Sequence, residues 1–347
     1  MFPDLHLWRA ALQRRKTDPQ HVLGVRHVML CLCSDGGELP ETRGAKDSVQ
    51  SNNSSGAAVN GVDIPPKVTI FYPPSDLPKT DDTALLAFCR ATGSEIELQA
   101  QRHTGESHDS LVSLTRAREE LRERHLLSTD ESGAAVFALH SSAPQNFGTQ
   151  GSLRGCHLLR AAGCYARFTK APLRSRKEKL PLPRIYYRSA DELPRSRRVR
   201  SDREIRNASS DELLTIEQPI TVDWSRRRLG LLPRLESGCI SSDNAGSVHH
   251  LRMWMDCRIT LEGRPNWLFV TLPVQCRTGA PSASTEVLRR FKEMTSQVAA
   301  ADRALRFHYV TARELVNIVH AAEAGHSGDP AQFRDFRYRR AQALAAG

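Results

Sequence analysis

KVTIFYPPSDLPKTDDTALLAFCRATGSEIELQA, residues 67–100, decides the fold class. KVTIFY (67–72) is a short β-prone apolar run followed by turn formers, which reads as a strand. From Asp82 to Thr92 the pattern turns helical, with Ala84, Leu85, Ala87 and Phe88 at compatible spacing and Gly93 as a stop. A second strand, EIELQAQ (95–101), follows at once. Working outward, a charged helix is predicted from Asp109 to His125 with Leu111, Leu114 and Leu121 on one side, and then a strand at Ala134–Leu139. RHVMLCLC (26–33) is a further strand upstream. Strands alternating with helices build a parallel sheet covered by helices, so the predicted class is α/β.

Two stretches interrupt this order. Residues 34–66 are rich in Ser, Gly and Asn with almost no large apolar side chain, and 170–206 combines many Lys and Arg with Pro172, Pro181, Pro183 and Pro194. Both are predicted to be loosely packed surface insertions, because they bury too little apolar area to offset the entropy of ordering. Strand character resumes at LLTI (213–216), ITVDW (220–224), LRMWMDCRITL (251–261) and NWLFVTLPVQC (266–276). Near the end, Thr311 and Glu314 have the spacing of a capping box. Leu315, Ile318, Val319 and Ala322 then form an apolar stripe that should pack on the sheet, and Gly325 ends the helix. No internal repeat is evident, and a single domain over 1–347 is expected.

With 347 residues, 39% of them hydrophobic and 25% charged, the chain can bury a large core while part of it contributes little. A net charge of +10 favours an anionic polymer as partner, with the basic segment 167–206 as the contact. Few aromatics beyond Tyr186 and Tyr187 interleave that segment, which favours a solvated basic loop over a polymer contact. No apolar run is long enough for a membrane span and MFPDLHLWRAALQRRK lacks a signal-peptide core, so no membrane association and a cytoplasmic location are expected. The eight cysteines contain no C-x-x-C pair, which predicts reduced thiols. Neither a G-x-S-x-G elbow nor a glycine-rich phosphate loop is present.

FHYVTARELVNIVHAAEAGHSGDPAQFRDFRYR (307–339), with GCYARFT (163–169) and IYY (185–187), resembles a group of bacterial polysaccharide deacetylase-like proteins. The likeness is scattered over about residues 67–339. The resemblance implies a distorted (β/α) barrel with long surface insertions, whose strand ends hold Zn2+ or another divalent metal beside a carboxylate base. It also implies an acetylated glycan as substrate, with hydrolysis of the N-acetyl amide. Under it, Asp81 in KTDDT is the base, and Asp82, His103 and His108 are the metal ligands; His140 and Asn146 bind substrate. His103 and His108 are five apart where the family has four, so a bulge or turn at Gly105 must absorb one residue. Asp81 and Asp82 also suit a helix start, where carboxylates cap amides, and both histidines suit an exposed polar loop.

Other positions depart from the pattern. Where relatives carry Leu-His-Thr-His, this chain reads Leu272-Pro273-Val274-Gln275; Arg167 replaces an expected aspartate, and Gln99 and Gln101 stand where a His-x-His pair is expected. Neither proline nor a neutral amide replaces an imidazole as acid, base or zinc ligand. The resemblance therefore implies a protein that is catalytically impaired or has a rearranged metal site. The rivals are an active metal-dependent hydrolase and a nonenzymatic binder of an anionic polymer. His249 and His250, beside Trp254, suit either a sugar-stacking or metal-proximal patch or an edge strand with exposed histidines.

Overall fold

The computed structural model describes residues 24–35, 65–74, 82–100, 107–141, 156–170, 185–189, 197–198, 212–228, 232–261, 263–275 and 281–345. In chain order these form β1 (Arg26–Asp35), β2 (Thr69–Tyr72), α1 (Asp82–Thr92), β3 (Glu95–Gln99), α2 (Ser107–Glu123), β4 (Ser128–Thr129), β5 (Ala135–Ser141), α3 (Cys156–Ala161) and β6 (Cys164–Thr169). There follow β7 (Ile185–Ser189), β8 (Arg197–Arg198), β9 (Glu212–Glu217), β10 (Ile220–Arg228), β11 (Leu232–Ser237), α4 (Val248–Met255), β12 (Trp267–Pro273), α5 (Pro281–Ala301), β13 (Leu305–Val310), α6 (Ala312–Glu323) and α7 (Gln342–Ala345). No helix among the described residues is long and apolar enough to cross a membrane.

The α/β class is as the alternation predicts. Eleven strands join in one curled, half-barrel sheet in which β12, β1, β2, β3, β5, β6 and β9 run parallel in that order, with β7 and β8 antiparallel at one edge. β10 and β11 form a separate hairpin. Alternate residues of β1 sort to opposite faces: Val28, Leu30 and Leu32 join a core under the outer helices with Leu85, Leu121, Trp254 and Phe291, while Met29, Cys31 and Cys33 line the hollow with Phe71, Phe168 and Phe269. Burial on both faces is why VMLCLC reads as a continuous apolar run.

β1 is forked. β12 pairs along one side of it, while the other side pairs with β13 over Arg26–Cys31 and with β2 over Cys33–Asp35. β13 thus ends where β2 begins, and the chain turns off the sheet there: the Ala312 amide donates to Thr69 Oγ1 at 2.7 Å. The capping box at Thr311 and Glu314 is present, with both reciprocal bonds, and starts α6. α6 then crosses the hollow near the N-terminal ends of the strands. Thr311 Oγ1 donates to Glu95 at the start of β3, and Glu323 at the far end accepts from the Tyr187 hydroxyl on β7 at 2.8 Å.

The expected stripe of Leu315, Ile318, Val319 and Ala322 is fully buried in the hollow, and Gly325, at φ 85°, ends the helix. The burial goes further than a stripe, since every residue from Ala312 to Ala322 is inaccessible. The polar ones are each satisfied. Arg313 Nη2 bonds Glu95 at 2.7 Å, and Arg313 Nη1 donates to the carbonyls of Arg334 and Tyr338. Asn317 bonds those same two carbonyls and accepts from the amides of Arg337 and Tyr338. Glu314 pairs with Lys67 at 2.8 Å.

Two expectations change here. LRMWMDCRITL is not a strand: Ser247 caps α4 by accepting from the His250 amide, Leu251 and Trp254 pack inward at helical spacing, and the chain turns after Asp256. Within 170–206, β7 is a packed strand with Ile185, Tyr186 and Tyr187 buried, because three consecutive apolar or aromatic side chains outweigh the surrounding charge. Apart from β7 and β8, residues 171–206 lie outside the described residues, as do 36–64; Ser34 and Asp35 complete β1.

Replacing Leu315 by Ala should lower the unfolding free energy by about 2–5 kcal/mol, the cost of an unfilled cavity at a fully buried site, measured by urea denaturation. Arg313→Met should cost about 3–5 kcal/mol by leaving the buried Glu95 with only the more distant Arg340, at 3.8 Å, as countercharge. Adding Glu95→Gln to it should recover part of that loss, and strict additivity of the two substitutions would refute the pairing.

Candidate functional site

In open α/β sheets ligands bind beyond the carboxyl ends of the strands. Here those ends place Gln99 at the end of β3, His140 in β5, Thr169 in β6, Gln218 just beyond β9 and Pro273 in β12 along one rim. Gln99 and His140 are direct register partners. The His140 ring is buried against Phe71, with centroids 5.0 Å apart, and Phe71 in turn meets Phe168 at 5.8 Å. Gln218 Nε2 lies 3.3 Å from His140 Nε2. With the amide as donor, that imidazole nitrogen is an acceptor and the proton sits on Nδ1. Gln218 Oε1 is buried and has no hydrogen-bond partner among the described residues. Gln218 was missed in the sequence, although its place directly after a strand end is a usable signal.

Beneath the rim, β3 turns a polar column into the hollow: Glu95, Glu97, then Gln99. Glu95 is neutralised by Arg313. Glu97 lies above it and accepts from the Tyr165 hydroxyl and from the Ala138 amide at 2.5 Å, at the point where the β5–β6 register slips. Burial pushes its carboxyl up to about 8; the two hydrogen bonds oppose that shift, and the charge on Glu95 adds to it.

The residues expected to perform chemistry are only partly placed. Asp81, His103 and Asn146 lie outside the described residues. The backbones of Asp82 and His108 are described, and their side chains are not. Asp82 is the first residue of α1 and His108 the second of α2, so the helices that follow β2 and β3 start with them on the rim side. The helix start at Asp82 suits a carboxylate near the positive end of the dipole as well as it suits a ligand. Pro273 and its successors are tied into backbone bonds: Ile240 donates to the Pro273 carbonyl, and Val274 to that of Cys33. Arg167 is buried in β6.

Two groups among the described residues bring three metal-ligating side chains together, and neither includes His140. His27, His308 and Asp329 meet at the opposite ends of the strands, at the starts of β1 and β13. There His27 Nδ1 and His308 Nε2 share a hydrogen bond of 2.9 Å, and burial holds both imidazoles below their usual range, His308 at about 4. Asp329 caps the following turn by accepting from the Ala331 amide. The second group is Asp223 on β10, Glu236 on β11 and His250 on α4. His249 and His250 therefore sit on a capped helix and not on an edge strand, with His250 buried and His249 Nε2 3.4 Å from Asp223 Oδ1. A cavity of about 300 Å³ also opens near the starts of β5, β6 and β9, lined by Arg118, Arg160, Tyr165, Tyr187, His320 and Tyr338, and it holds none of the predicted site residues.

Neither a scan of the sequence against models of protein families nor a search of curated proteins finds a match.

The Glu97 carboxyl predicts a pH dependence whose sign follows from its position. The unfolded chain ionises this group near 4.5 and the folded one near 8, so its stabilising effect is full below 4.5 and is lost as pH rises through 8. Between pH 5.5 and 7, unfolding free energy should fall with a limiting slope of about 1.4 kcal/mol per pH unit. Glu97→Gln should flatten that slope, as read from urea midpoints at each pH, and an unchanged slope would show that Glu97 does not carry it.

Proposed function

We propose that this chain is a polysaccharide deacetylase-like protein, built as a distorted (β/α) barrel, that binds an N-acetylated glycan at the strand-end rim and hydrolyses it poorly or not at all. One observation carries the reading: the imidazole at the rim is engaged by an amide. His140 Nε2 faces Gln218 at 3.3 Å, and with the amide as donor its lone pair is engaged and cannot hold a metal or take a proton from water. The described rim groups Gln99, His140 and Gln218 are hydrogen-bonding amide and imidazole side chains beside the aromatic ring of Phe71, a set suited to sugar hydroxyls and an acetamido group. The buried Gln218 Oε1, without a donor among the described residues, is an acceptor that a ligand hydroxyl or amide N–H would satisfy.

The residues of the strongest family likeness support the same reading, because they are architectural. Thr311, Arg313, Glu314 and Asn317 start α6 and bind it to β3 and to the loop through Tyr338. A scaffold of this kind can persist when its chemistry has lapsed. In the active alternative, Asp82, His103 and His108 would hold a divalent metal beside Asp81 as base, the metal supplying Lewis acidity toward the amide carbonyl.

The test is acetate release from N-acetylated sugar oligomers by the purified chain, with and without added zinc, alongside binding of the same oligomers. No release above blank is expected, with binding that weakens about tenfold or more in Gln218→Ala, the loss expected when a buried polar partner is removed. Robust release that Asp81→Asn and His103→Ala both abolish would establish the active alternative, and absence of any oligomer binding would refute the glycan reading.

A further inference from the structure

Asp223, Glu236 and His250 come from three separate elements, β10, β11 and α4, yet one ligand atom of each lies within 4.8 Å of the other two. We propose that they form a binding site for a divalent transition-metal cation of the zinc class, which clips the β10–β11 hairpin to α4. The site is independent of the glycan rim, and none of its residues belongs to the reading above.

What singles this cluster out is which atoms are already engaged. Asp223 is fully buried, and its Oδ1 accepts from the amide and hydroxyl of Ser225 at 2.8 and 2.6 Å. Its Oδ2 is buried with no hydrogen-bond partner among the described residues, and the same is true of Glu236 Oε2. His250 Nδ1 lies 2.8 Å from the hydroxyl of Ser247, the residue that caps α4, which leaves Nε2 as the outward nitrogen. That Nε2 lies 3.5 Å from Glu236 Oε2. Ligands about 2.1 Å from a tetrahedral zinc are roughly 3.4 Å from each other, so this pair already has the required separation. Each ligating side chain is oriented through its other polar atom, as in known metal sites where outer hydrogen bonds set the tautomer and direction of the ligands.

Two carboxylates and an imidazole nitrogen match the donor preference of a borderline cation. With three protein donors the site keeps a position for water. His249, half-exposed and 3.4 Å from Asp223 Oδ1, stands at its solvent side. Without a cation, two buried carboxylate oxygens lack donors among the described residues, an arrangement that folded proteins avoid.

The test uses the full chain, stripped with chelator and titrated with zinc alone by calorimetry, and with cobalt(II) followed in the visible spectrum. Expected are one equivalent of zinc lost in both Glu236→Gln and His250→Gln, and a cobalt spectrum of nitrogen and oxygen ligation without thiolate charge transfer. Ser247→Ala should weaken that equivalent by about tenfold. Zinc should raise the thermal midpoint of the wild type and of His308→Gln, but not of Glu236→Gln. Glu236 is partly exposed, so its variant keeps the test valid if His250→Gln does not fold. The proposal is overturned if a folded wild type binds no zinc, if the cobalt bands are those of thiolate, or if all the bound zinc survives in Glu236→Gln and is lost in His103→Ala. The last result would leave His250 and Glu236 as a plain ion pair.

Discussion

The Glu95–Arg313 pair is the constraint on which the arrangement of this molecule depends. The two side chains are 2% and 1% exposed, so neither charge can be solvated if the other is absent. A buried pair of this kind adds little net stability over an apolar substitute, while breaking it is costly. It acts as a registration device. Arg313 in the first turn of α6 meets Glu95 at the first position of β3, and that contact fixes how far the helix enters the hollow and at what rotation. The rotation in turn brings Asn317, one helical turn on, to the carbonyls of Arg334 and Tyr338, so the loop after α6 is held by the same geometry.

From that placement follows the polarity of the hollow. α6 fills the N-terminal ends of the parallel strands, which leaves the carboxyl ends as the rim where a ligand can approach. The β3 column then grades from charge to neutrality along its length: Glu95 is neutralised by Arg313, Glu97 by burial that keeps its proton, and Gln99 carries no charge at all. A second ionised carboxylate above Glu95 would face like charge in a low-dielectric interior, and Glu97 avoids this by its raised pKa and its bonds to Tyr165 and Ala138. The rim thus inherits a neutral floor. Such a floor suits the hydrogen-bonding recognition proposed for the rim.

How much of this was legible in the sequence depended on the range of the interaction. The capping box at Thr311 and Glu314, the helix over 82–92 and the strands beside it are local patterns, and they read correctly because spacing within a few residues carries them. α4 was misread as a strand because Trp, Met and Ile suit both states, and the decisive feature was the Ser247 cap just upstream of the apolar run. The fork in β1 has no local mark: the switch from β13 to β2 at Cys33 depends on segments separated from β1 by tens to hundreds of residues. The same holds for Glu97, whose partner Tyr165 is remote, and for Gln218 beside His140. Of the residues that the family likeness points to, His140 is placed at the rim, and its engagement by an amide is a tertiary fact that no motif spacing contains.

The two histidine and carboxylate clusters show why residue identity alone does not define a site. His27, His308 and Asp329 have suitable ligand types within reach of one another, but the two imidazoles satisfy each other at 2.9 Å and Asp329 is spent on capping a turn. Putting a cation there would first break those bonds, and the desolvated imidazoles are already stable as neutral partners. At Asp223, Glu236 and His250 the hydrogen bonds run the other way. Ser225 and Ser247 occupy the atoms that face away, and buried carboxylate oxygens are left without donors among the described residues. A cation would therefore displace an existing network in the first cluster and complete one in the second. This difference in unsatisfied acceptors, more than the count of nearby ligands, separates a structural knot from a binding site.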